Sequence, residues 1–555
     1  MKARSGREVL PVAVVAVVCL LPLRGLLRAP GPPMEEGFML VFPERVLHGA
    51  IPNVDFLHLY GPGSLWALAA AFKVFGTSLW TERLFGYGQL LLLVAGVYAL
   101  LLAFGEGPFG RRVAAGGASV AAIIVIPPIG LTALAWVGGV ALGLWAMVAA
   151  LAARREADDR RAGRLFVAAG LLAGAAVLFR LDLIVAVTLG LAVAAAGVAA
   201  VRRRRLLIGL AAGLSPYLVH VAMAGPGHVI TGMIIDPVFN LRGGRRLPLP
   251  PSWDHFDGFL QRAGLLNAPS WPFPAPPSPA QLSLWLGLLL LVVALLVATG
   301  WTAVRADRDG VMSRALLVMG VFSLGMLPQA LQRADSTHLA WVSCVPLGFL
   351  PAAVWELARR WRPQWRGWLR EWVAVAAPFV LLLALVPHFT LRTYADATAQ
   401  SLGYHRESYT IRHGDRVFYY GRKDAADAVN AMLTDIDRLT KPGQRLFVGT
   451  GDLRKTPYSE AFLYYLLPDL VPSTYFIEMD PGMANKGERL ANDLAGSDVA
   501  ILSSIRDDWD EPNDARVVGS DAANQVLHRD FCLAGSYGQG LFGHGLYELY
   551  LRCTP

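Results

Sequence analysis

The chain has 555 residues, of which 54% are hydrophobic and only 17% are charged, and its mean hydropathy is +0.44. Soluble domains are typically ~45–50% apolar and ~25% charged, so these figures exclude a soluble cytosolic enzyme and a disordered chain. Four cysteines are too few for a disulfide-built scaffold. The net charge of +8 is unevenly divided, because residues 1–388 contain 33 Lys and Arg against 19 Asp and Glu, whereas residues 389–555 contain 17 against 23.

Eleven apolar runs in residues 1–388 come close to the roughly 20 residues that a membrane-spanning helix needs. The runs lie at 9–28, 78–104, 113–129, 131–153, 165–180, 183–201, 205–224, 281–304, 312–328, 338–357 and 371–388. The first run is not followed by the small-residue cleavage site of a signal peptide, so it predicts a membrane anchor. The sequence thus predicts a polytopic α-helical membrane protein with about 11 transmembrane helices in residues 1–388 and a separate domain in residues 389–555.

Arginine clusters lie in alternate connections between these runs. They comprise the N-terminus, Arg111–Arg112, residues 154–164, Arg202–Arg205, residues 305–314 and residues 359–370. By the positive-inside rule these connections and the N-terminus are cytoplasmic, and the odd number of spans places the C-terminal domain outside the cell. This arrangement is typical of membrane topology and argues against a nucleic-acid partner. Because Arg outnumbers Lys by 44 to 6, as in high-GC genomes, we expect a bacterial plasma membrane.

The C-terminal part has the patterns of a small exported α/β domain. The sequence predicts helices at 423–439 and 458–467, strands at 445–449 and 499–503, and two further strands within 531–552. Residues 449–452 follow a strand but lack the third glycine and the lysine of phosphate loops, which favours an ordinary turn over nucleotide binding. Cys532 and Cys553 share the exported side, where they either pair or stay free.

Charged groups kept at membrane depth are functional candidates because they are costly there. The segment after the first span contains several such residues, among them Glu35, Glu36, Glu44, Arg45, Asp55 and His58. Adjacent acids suit a general base, since one can orient the other or raise its pKa. The alternative is a solvated acidic loop in which Glu35 caps a short helix. The Pro-rich and aromatic loop at 225–280 lies either at the lipid headgroups or irregularly on the surface.

Two more clusters fall at the predicted outer ends of helices. Arg180 and Asp182 either end a helix and extend to the headgroups or line a cavity. Arg333, Asp335 and His338 combine a cation, an orienting carboxylate and a titratable donor, which suits an anionic ligand such as a phosphate.

A fourth charged group lies in the loop at 225–280 and comprises Asp236, Arg242, Arg245 and Arg246. We interpret it as a solvated basic loop, with contacts to lipid phosphates as the alternative. The eleven histidines form no H-x-x-H or H-E-x-x-H pattern, so no metal site is predicted. A divalent cation held by two carboxylates with help from a substrate stays open.

The order of motifs in the first outer segment resembles the GT-C superfamily of membrane glycosyltransferases, near its bacterial protein-mannosyltransferase-like and aminoarabinose-transferase-like branches. The motifs are Glu35-Glu36-Gly37, Leu47-His48-Gly49, Pro52-Asn53-Val54-Asp55-Phe56 and Tyr60-Gly61-Pro62-Gly63. The segment from Arg333 to His338 resembles a later outer-loop motif of related proteins. The resemblance covers about residues 1–388 and leaves the C-terminal domain unidentified.

The resemblance implies that a sugar moves from a polyprenyl-phosphate donor to a cell-wall glycan, glycolipid or protein acceptor, usually with inversion. The catalytic base of the family is an Asp, and Glu35 occupies its position, with Glu36 and Asp55 as the other carboxylate candidates. Arg333 and His338, then Arg180 and His58, are the expected ligands of the donor phosphate. Asp335, Asp182 and Arg45 are the expected supporting residues.

Two other functions remain open from the sequence. A lipid or solute transporter or flippase would also explain the spans, but its site would be expected near the midplane of internal repeats, and no repeat is evident. A membrane-anchored interaction protein would leave the acidic first segment unexplained. The transferase hypothesis requires Glu35 or Glu36 to converge with Asp55, Arg333 and His338 on one outward-facing cavity.

Overall fold

The computed structural model describes residues 6–104, 107–126, 130–249, 279–308, 310–385, 392–404, 408–456, 458–480, 482–483, 488–507, 511–540 and 544–553. A helical membrane half precedes a smaller domain built on a sheet. The helices of the membrane half are α1 (Gly6–Leu20), α2 (Leu23–Leu26), α3 (Glu35–Leu47), α4 (Pro62–Phe75), α5 (Leu79–Phe104), α6 (Gly107–Val125), α7 (Ala135–Arg155), α8 (Asp159–Phe179), α9 (Ile184–Ala195), α10 (Ala200–Leu214), α11 (Pro216–Ala224), α12 (Pro226–Ile230), α13 (Arg242–Arg245), α14 (Pro279–Ala306), α15 (Val311–Gln332), α16 (Ser336–Trp361) and α17 (Gly367–Leu385). A 3₁₀ turn at Leu181–Leu183 precedes α9, and a π-helix at Thr231–Asn240 follows α12.

Nine helical segments of the described chain are long and apolar enough to cross a membrane. They are Val9–Leu26, Leu79–Leu102, Ala135–Arg155, Asp159–Phe179, Ala200–Ala224, Pro279–Ala306, Val311–Gln332, Ser336–Trp361 and Gly367–Leu385. The prediction of a polytopic helical membrane protein is confirmed. Two of the eleven predicted spans are helices outside this set. The first, α6, carries Arg111 and Arg112, and the second, α9, has only 12 residues.

The segment between the first two predicted spans contains a helix, α4, that was not predicted. In α4, Pro62 occupies the first turn, where a missing N–H costs nothing. The 14 residues of α4 reach only ~21 Å, so this helix is shorter than the hydrocarbon core of a bilayer. Gly61 lies against the end of α8, because a Cβ there would be 1.9 Å from the Leu178 carbonyl oxygen.

Small residues let α8 and α10 pack at backbone distance. A Cβ added at Gly170 would lie 2.0 Å from the Leu206 carbonyl oxygen, and one at Gly209 would lie 2.1 Å from the Val167 carbonyl oxygen. This is the close packing that small residues permit between membrane helices. Helix α16 is the most enclosed of the nine spans, with 89% of its 18-residue apolar stretch buried. Asp335 is its N-cap residue.

The C-terminal domain combines a hairpin with a five-stranded mixed sheet. Its elements are α18 (Tyr394–Ser401), β1 (Tyr409–His413), β2 (Arg416–Tyr420), α19 (Lys423–Leu439), β3 (Arg445–Thr450), α20 (Phe462–Leu466), β4 (Val471–Pro472), α21 (Arg489–Ala495), β5 (Val499–Ser503), α22 (Ala522–Asp530), β6 (Phe531–Tyr537) and β7 (Tyr547–Arg552). The sheet order is β4-β3-β5-β7-β6, parallel across its first three strands and antiparallel across the rest. The predicted α/β domain is confirmed, although the helix predicted at 458–467 is shorter. Cys532 and Cys553 form a disulfide.

The two halves are joined by hydrogen bonds, an ion pair and close packing. Tyr394 Oη donates to the Val18 carbonyl oxygen at 2.7 Å, and Arg416 pairs with Glu44 of α3 at 2.6 Å. A Cβ at Gly37 would lie 2.3 Å from the backbone nitrogen at the start of α20, so only glycine permits this approach.

Two predictions concern residues that lie wholly or partly outside the described part of the chain. The predicted boundary between residues 388 and 389 lies in residues 386–391, outside the described part, and stays a prediction. In the loop predicted at 225–280, residues 226–245 are helical for most of their length, whereas residues 250–278, which carry most of its prolines and aromatics, lie outside the described part.

Candidate functional site

Helix ends of the membrane half meet the C-terminal domain around a cavity of about 400 Å³. Its charged and polar lining residues are Glu35, Tyr60, Arg180, Asp182, Arg245, Gln329, Gln332, Arg333, Asp335, Thr337, His338, Tyr458, Glu478 and Asp480. Its large apolar lining residues are Met34, Phe38, Leu59, Leu134, Leu181, Met233, Pro237, Val238 and Trp341. A concave site with convergent polar groups and apolar walls is the usual form of a small-ligand pocket.

Glu35 is the first residue of α3 and faces this cavity. Its Oε2 atom is buried and has no hydrogen-bond partner among the described residues. Burial raises the pKa of Glu35 to about 7, although the charges of Arg506 and Arg333 oppose the rise. A carboxylate with an unused oxygen and a pKa near neutrality is suited to accept a proton from a ligand hydroxyl.

Glu36 points elsewhere and does not line the cavity. It is 1% exposed, and its two oxygens accept hydrogen bonds from Arg83 Nε and Nη2 at 2.7 and 2.8 Å. Arg83 Nη1 also donates to the carbonyl oxygens of Leu26, Leu27 and Ala29. Through Arg83, Glu36 therefore fixes α3 to the end of the first span. Of the two adjacent acids, Glu35 faces the cavity and Glu36 has a structural role.

Arg180 and Asp182 both line the cavity, which favours the second of their two interpretations. Arg180 follows α8, and its Nε and Nη2 atoms donate to the two carboxylate oxygens of Asp182 at 3.1 and 2.9 Å. Its Nη2 atom also lies 3.4 Å from Gln329 Oε1. The guanidinium carbon is 4.6 Å from the ring centroid of Tyr60, within cation–π distance.

Arg333, Asp335 and His338 form one connected group between α15 and α16. Asp335 Oδ1 lies 2.8 Å from both the backbone nitrogen and Nδ1 of His338, and Oδ2 accepts from Arg333 Nε at 2.8 Å. Burial would raise the pKa of Asp335, but His338 and Arg333 outweigh it and hold that pKa below its usual value. Arg333 also pairs with Glu511 of the C-terminal domain and donates to the Arg245 carbonyl oxygen. Most of its donors are therefore used within the protein.

The structure does not bring Asp55 or Arg45 to the cavity lining, contrary to the expected convergence. Asp55 is exposed, and its Oδ2 accepts from the Ile51 backbone nitrogen at 2.6 Å. Arg45 donates to the Asp55 carbonyl oxygen at 3.3 Å and lies over the Phe56 ring. These side chains shape the turn after α3, in which Asn53 adopts a φ of 68°.

His58 also lies outside the cavity lining. It is 2% exposed, and its Nε2 atom is 3.4 Å from the Gly61 carbonyl oxygen. Burial lowers the pKa of His58 to about 4, so the ring is uncharged at neutral pH. An uncharged imidazole lacks the positive charge expected of a phosphate ligand.

Sequence reasoning missed the C-terminal contribution to the site. Glu478 and Asp480 line the cavity at 1% and 3% exposure. Burial and the neighbouring Asp480 raise the pKa of Glu478. The available signal was the alternation in Ile477-Glu478-Met479-Asp480, where acids alternate with two fully buried apolar residues.

Arg245 was assigned to a solvated basic loop and instead lines the cavity. Its Nη1 is 3.5 Å from Asp480 Oδ2, and its Nη2 is 4.0 Å from Glu478 Oε1. No local pattern indicates this pairing, because the partners are more than 200 residues apart. Across the described residues, no three or more His, Cys, Asp and Glu side chains are grouped to hold a metal ion.

No protein-family model and no curated protein matches the chain. Solved structures do match. ArnT from Cupriavidus metallidurans bound to undecaprenyl phosphate aligns at 14% identity and a TM-score of 0.50, covering 100% of this chain and 99% of its own. The Archaeoglobus fulgidus oligosaccharyltransferase in its apo form aligns at 14% identity and a TM-score of 0.49, covering 97% of this chain and 75% of its own. This chain therefore shares the fold of ArnT, in agreement with the fold that the sequence resemblance implied.

Proposed function

We propose that this multi-pass membrane protein transfers a sugar from a polyprenyl-phosphate donor to an acceptor hydroxyl. The observation that carries the proposal is the Oε2 atom of Glu35, which is buried and unpartnered in a cavity shared with Arg180, Arg245 and His338. The GT-C fold and the undecaprenyl phosphate bound by ArnT support a lipid-linked donor.

The chemistry is a single displacement at the anomeric carbon. The acceptor oxygen forms a bond to C1 of the sugar while the bond from C1 to the phosphate oxygen breaks, and polyprenyl phosphate leaves with that electron pair. Glu35 accepts the proton of the acceptor hydroxyl. One displacement inverts the anomeric configuration. A raised pKa suits this role, since a base works best when its pKa lies near the operating pH.

The leaving phosphate gains negative charge in the transition state and needs donors where that charge develops. Arg180 retains its Nη1, and His338 its Nε2, for which the described residues show no hydrogen bond. Arg245 contacts its acidic neighbours only at 3.5 Å or more. We assign the phosphate to these three residues and give Arg333 the task of holding the two halves together. Asp335 and Asp182 orient His338 and Arg180.

The apolar wall of Met233, Pro237 and Val238 suits the polyprenyl chain. Since the cavity adjoins the C-terminal domain, we place the reaction on the outer face of a bacterial plasma membrane. The acceptor is then a cell-wall glycan, a glycolipid or a protein. A divalent cation remains an optional component of this proposal.

The test is sugar transfer in membranes that contain the wild type, Glu35→Gln or Asp55→Asn, supplied with radiolabelled polyprenyl-phosphate sugars and native envelope acceptors. Loss of the base should lower transfer by about 10²–10⁴-fold in Glu35→Gln at normal abundance. Asp55→Asn is the matched control and should retain transfer, because Asp55 lies outside the cavity.

Transfer that survives Glu35→Gln would remove this residue from the mechanism. If the wild type instead moves lipid-linked sugar across vesicles without transferring it, the transporter alternative replaces the proposal.

A further inference from the structure

Glu478 and Asp480 form a buried acidic pair in the cavity wall that the proposed chemistry does not use. Glu478 is 1% exposed, and its Oε2 atom has no hydrogen-bond partner among the described residues. The other oxygen, Oε1, lies 4.0 Å from Arg245 Nη2. A buried carboxylate oxygen without a donor is costly, so an occupant of the cavity that donates a hydrogen bond would relieve this cost.

The position of the pair identifies the part of the ligand that it meets. Glu478 shares the cavity lining with four charged groups that influence its pKa, namely Asp480, Arg245, Glu35 and Arg180. Two of these, Arg245 and Arg180, are among the three proposed phosphate ligands, and Glu35 is the proposed base. In a displacement at C1, the donor sugar lies between the leaving phosphate and the attacking hydroxyl. The sugar is therefore the ligand part that comes beside Glu478.

We propose that Glu478 and Asp480 bind hydroxyl groups of the donor sugar, so that the C-terminal domain selects which sugar is transferred. This inference rests on the proposed function and assigns it a sugar subsite. The oxygens of a carboxyl group accept hydrogen bonds from hydroxyl groups in both its ionised and its protonated form, so the subsite does not require Glu478 to be charged. The vacant oxygen is an acceptor, which matches the hydroxyl groups that every neutral sugar carries.

A cationic ligand fits the pair less well than a hydroxyl. Arg245 already supplies one positive charge, at 3.5 Å from Asp480 and 4.0 Å from Glu478. A metal ion is not favoured either, since the described residues offer no grouping of three or more metal-ligating side chains. A neutral hydroxyl satisfies the vacant oxygen without adding a second charge beside Arg245.

The experiment measures equilibrium binding to the full chain in lipid nanodiscs, so it does not depend on turnover. Two probes are compared, a polyprenyl phosphate and the same lipid phosphate carrying a neutral hexose or pentose. Glu478→Gln is the test variant, and Asp480→Asn is the second variant. The matched control is Glu488→Gln, which removes an exposed carboxylate of the same domain that makes no side-chain capping bond.

We expect Glu478→Gln to weaken binding of the sugar-bearing lipid about 10-fold or more. Binding of the sugar-free lipid phosphate should stay unchanged or become slightly tighter, because Arg245 loses a competing acidic neighbour. Asp480→Asn should act in the same direction, and Glu488→Gln should change neither affinity. A series of deoxy sugars should identify the hydroxyl, since its removal should weaken wild-type binding and leave Glu478→Gln unaffected.

Equal weakening of both lipids would assign the pair to the phosphate or to the fold and overturn the inference. So would unchanged affinities, or a gain confined to amino sugars. The proposed function fails separately. If the wild type binds the sugar through Glu478 but transfers none, the sugar subsite is supported and the transferase function is rejected. If the wild type transfers sugar but Glu478→Gln binds the sugar with unchanged affinity, the transferase function is supported and the subsite is rejected.

Discussion

The membrane half and the C-terminal domain form two walls of one cavity, and they differ in how their polar residues occur in the sequence. The membrane wall brings Glu35, Arg180 and the group from Arg333 to His338, each beside an apolar span. The domain wall brings Tyr458, Glu478 and Asp480 from segments without regular structure. Charge next to a span attracts notice because the membrane makes it costly. Charge in a polar domain is ordinary, so only burial in the folded chain distinguishes it.

The two walls also differ in the tasks that we propose for them. The membrane wall contains the proposed base and phosphate ligands, and the domain wall contains the proposed sugar subsite. Arg333 joins them through its ion pair with Glu511, which is 0% exposed. This ion pair is the joint between the two walls.

Breaking the joint should have the largest effect on stability. Arg333→Gln leaves Glu511 buried without its cation, and loss of one partner of a buried pair typically costs about 3–5 kcal/mol. We expect a clear fall in the thermal midpoint of the detergent-purified protein. The double variant Arg333→Gln with Glu511→Gln should recover much of that fall, because position 511 then no longer carries an unpaired charge. A double variant no more stable than Arg333→Gln would show that the ion pair does not join the walls.

The phosphate side should respond next, in rate rather than in stability. Arg245→Gln removes a proposed donor to the leaving phosphate, and loss of one such donor typically lowers the rate by about 10²–10³-fold. Arg242→Gln is the matched control, since Arg242 lies on the same short helix, is exposed and does not line the cavity. Initial rates of transfer at saturating acceptor measure both. Equal rates for the two variants would show that Arg245 does not bind the leaving phosphate.

The sequence was sufficient for most of the fold. Nine spans, the helix at Lys423–Leu439 and four of the five strands of the sheet follow apolar periodicity, which is a local property. Strand β4 and the β1–β2 hairpin were not predicted. Helix α4 was missed because its short apolar run lies among motif residues that predicted a loop. In the candidate site, Glu35, Arg180 and His338 were predicted from local chemistry, whereas adjacency alone could not show that Glu36 pairs with Arg83. Arg245 and Glu478 meet only through the tertiary fold.

The smallest expected effect is a pH dependence of transfer that arises from Glu35 on the membrane wall. Since burial raises the pKa of Glu35 to about 7, the base is mostly protonated at pH 6, and transfer should rise about tenfold per pH unit until it levels off above pH 7. His58 cannot supply this midpoint, because burial lowers its pKa to about 4.

The same shift should appear in stability with a defined sign. A carboxyl whose folded pKa lies above its unfolded value binds its proton more tightly when folded, so it lowers stability as pH rises from about 4.5 towards 7. Glu35→Gln should therefore raise the thermal midpoint more at pH 8 than at pH 4.5, while it lowers transfer by about 10²–10⁴-fold at pH 8. Transfer that shows no change between pH 5.5 and 8 in the wild type would mean that Glu35 is not the titrating base. A gain in stability that is equal at both pH values would mean that folding does not raise the pKa of Glu35. A Gln variant that is less active but more stable than the wild type at alkaline pH identifies a carboxylate that is kept buried for catalysis. A carboxylate that holds the fold together, as Glu36 does through Arg83, should instead lose stability when it is replaced.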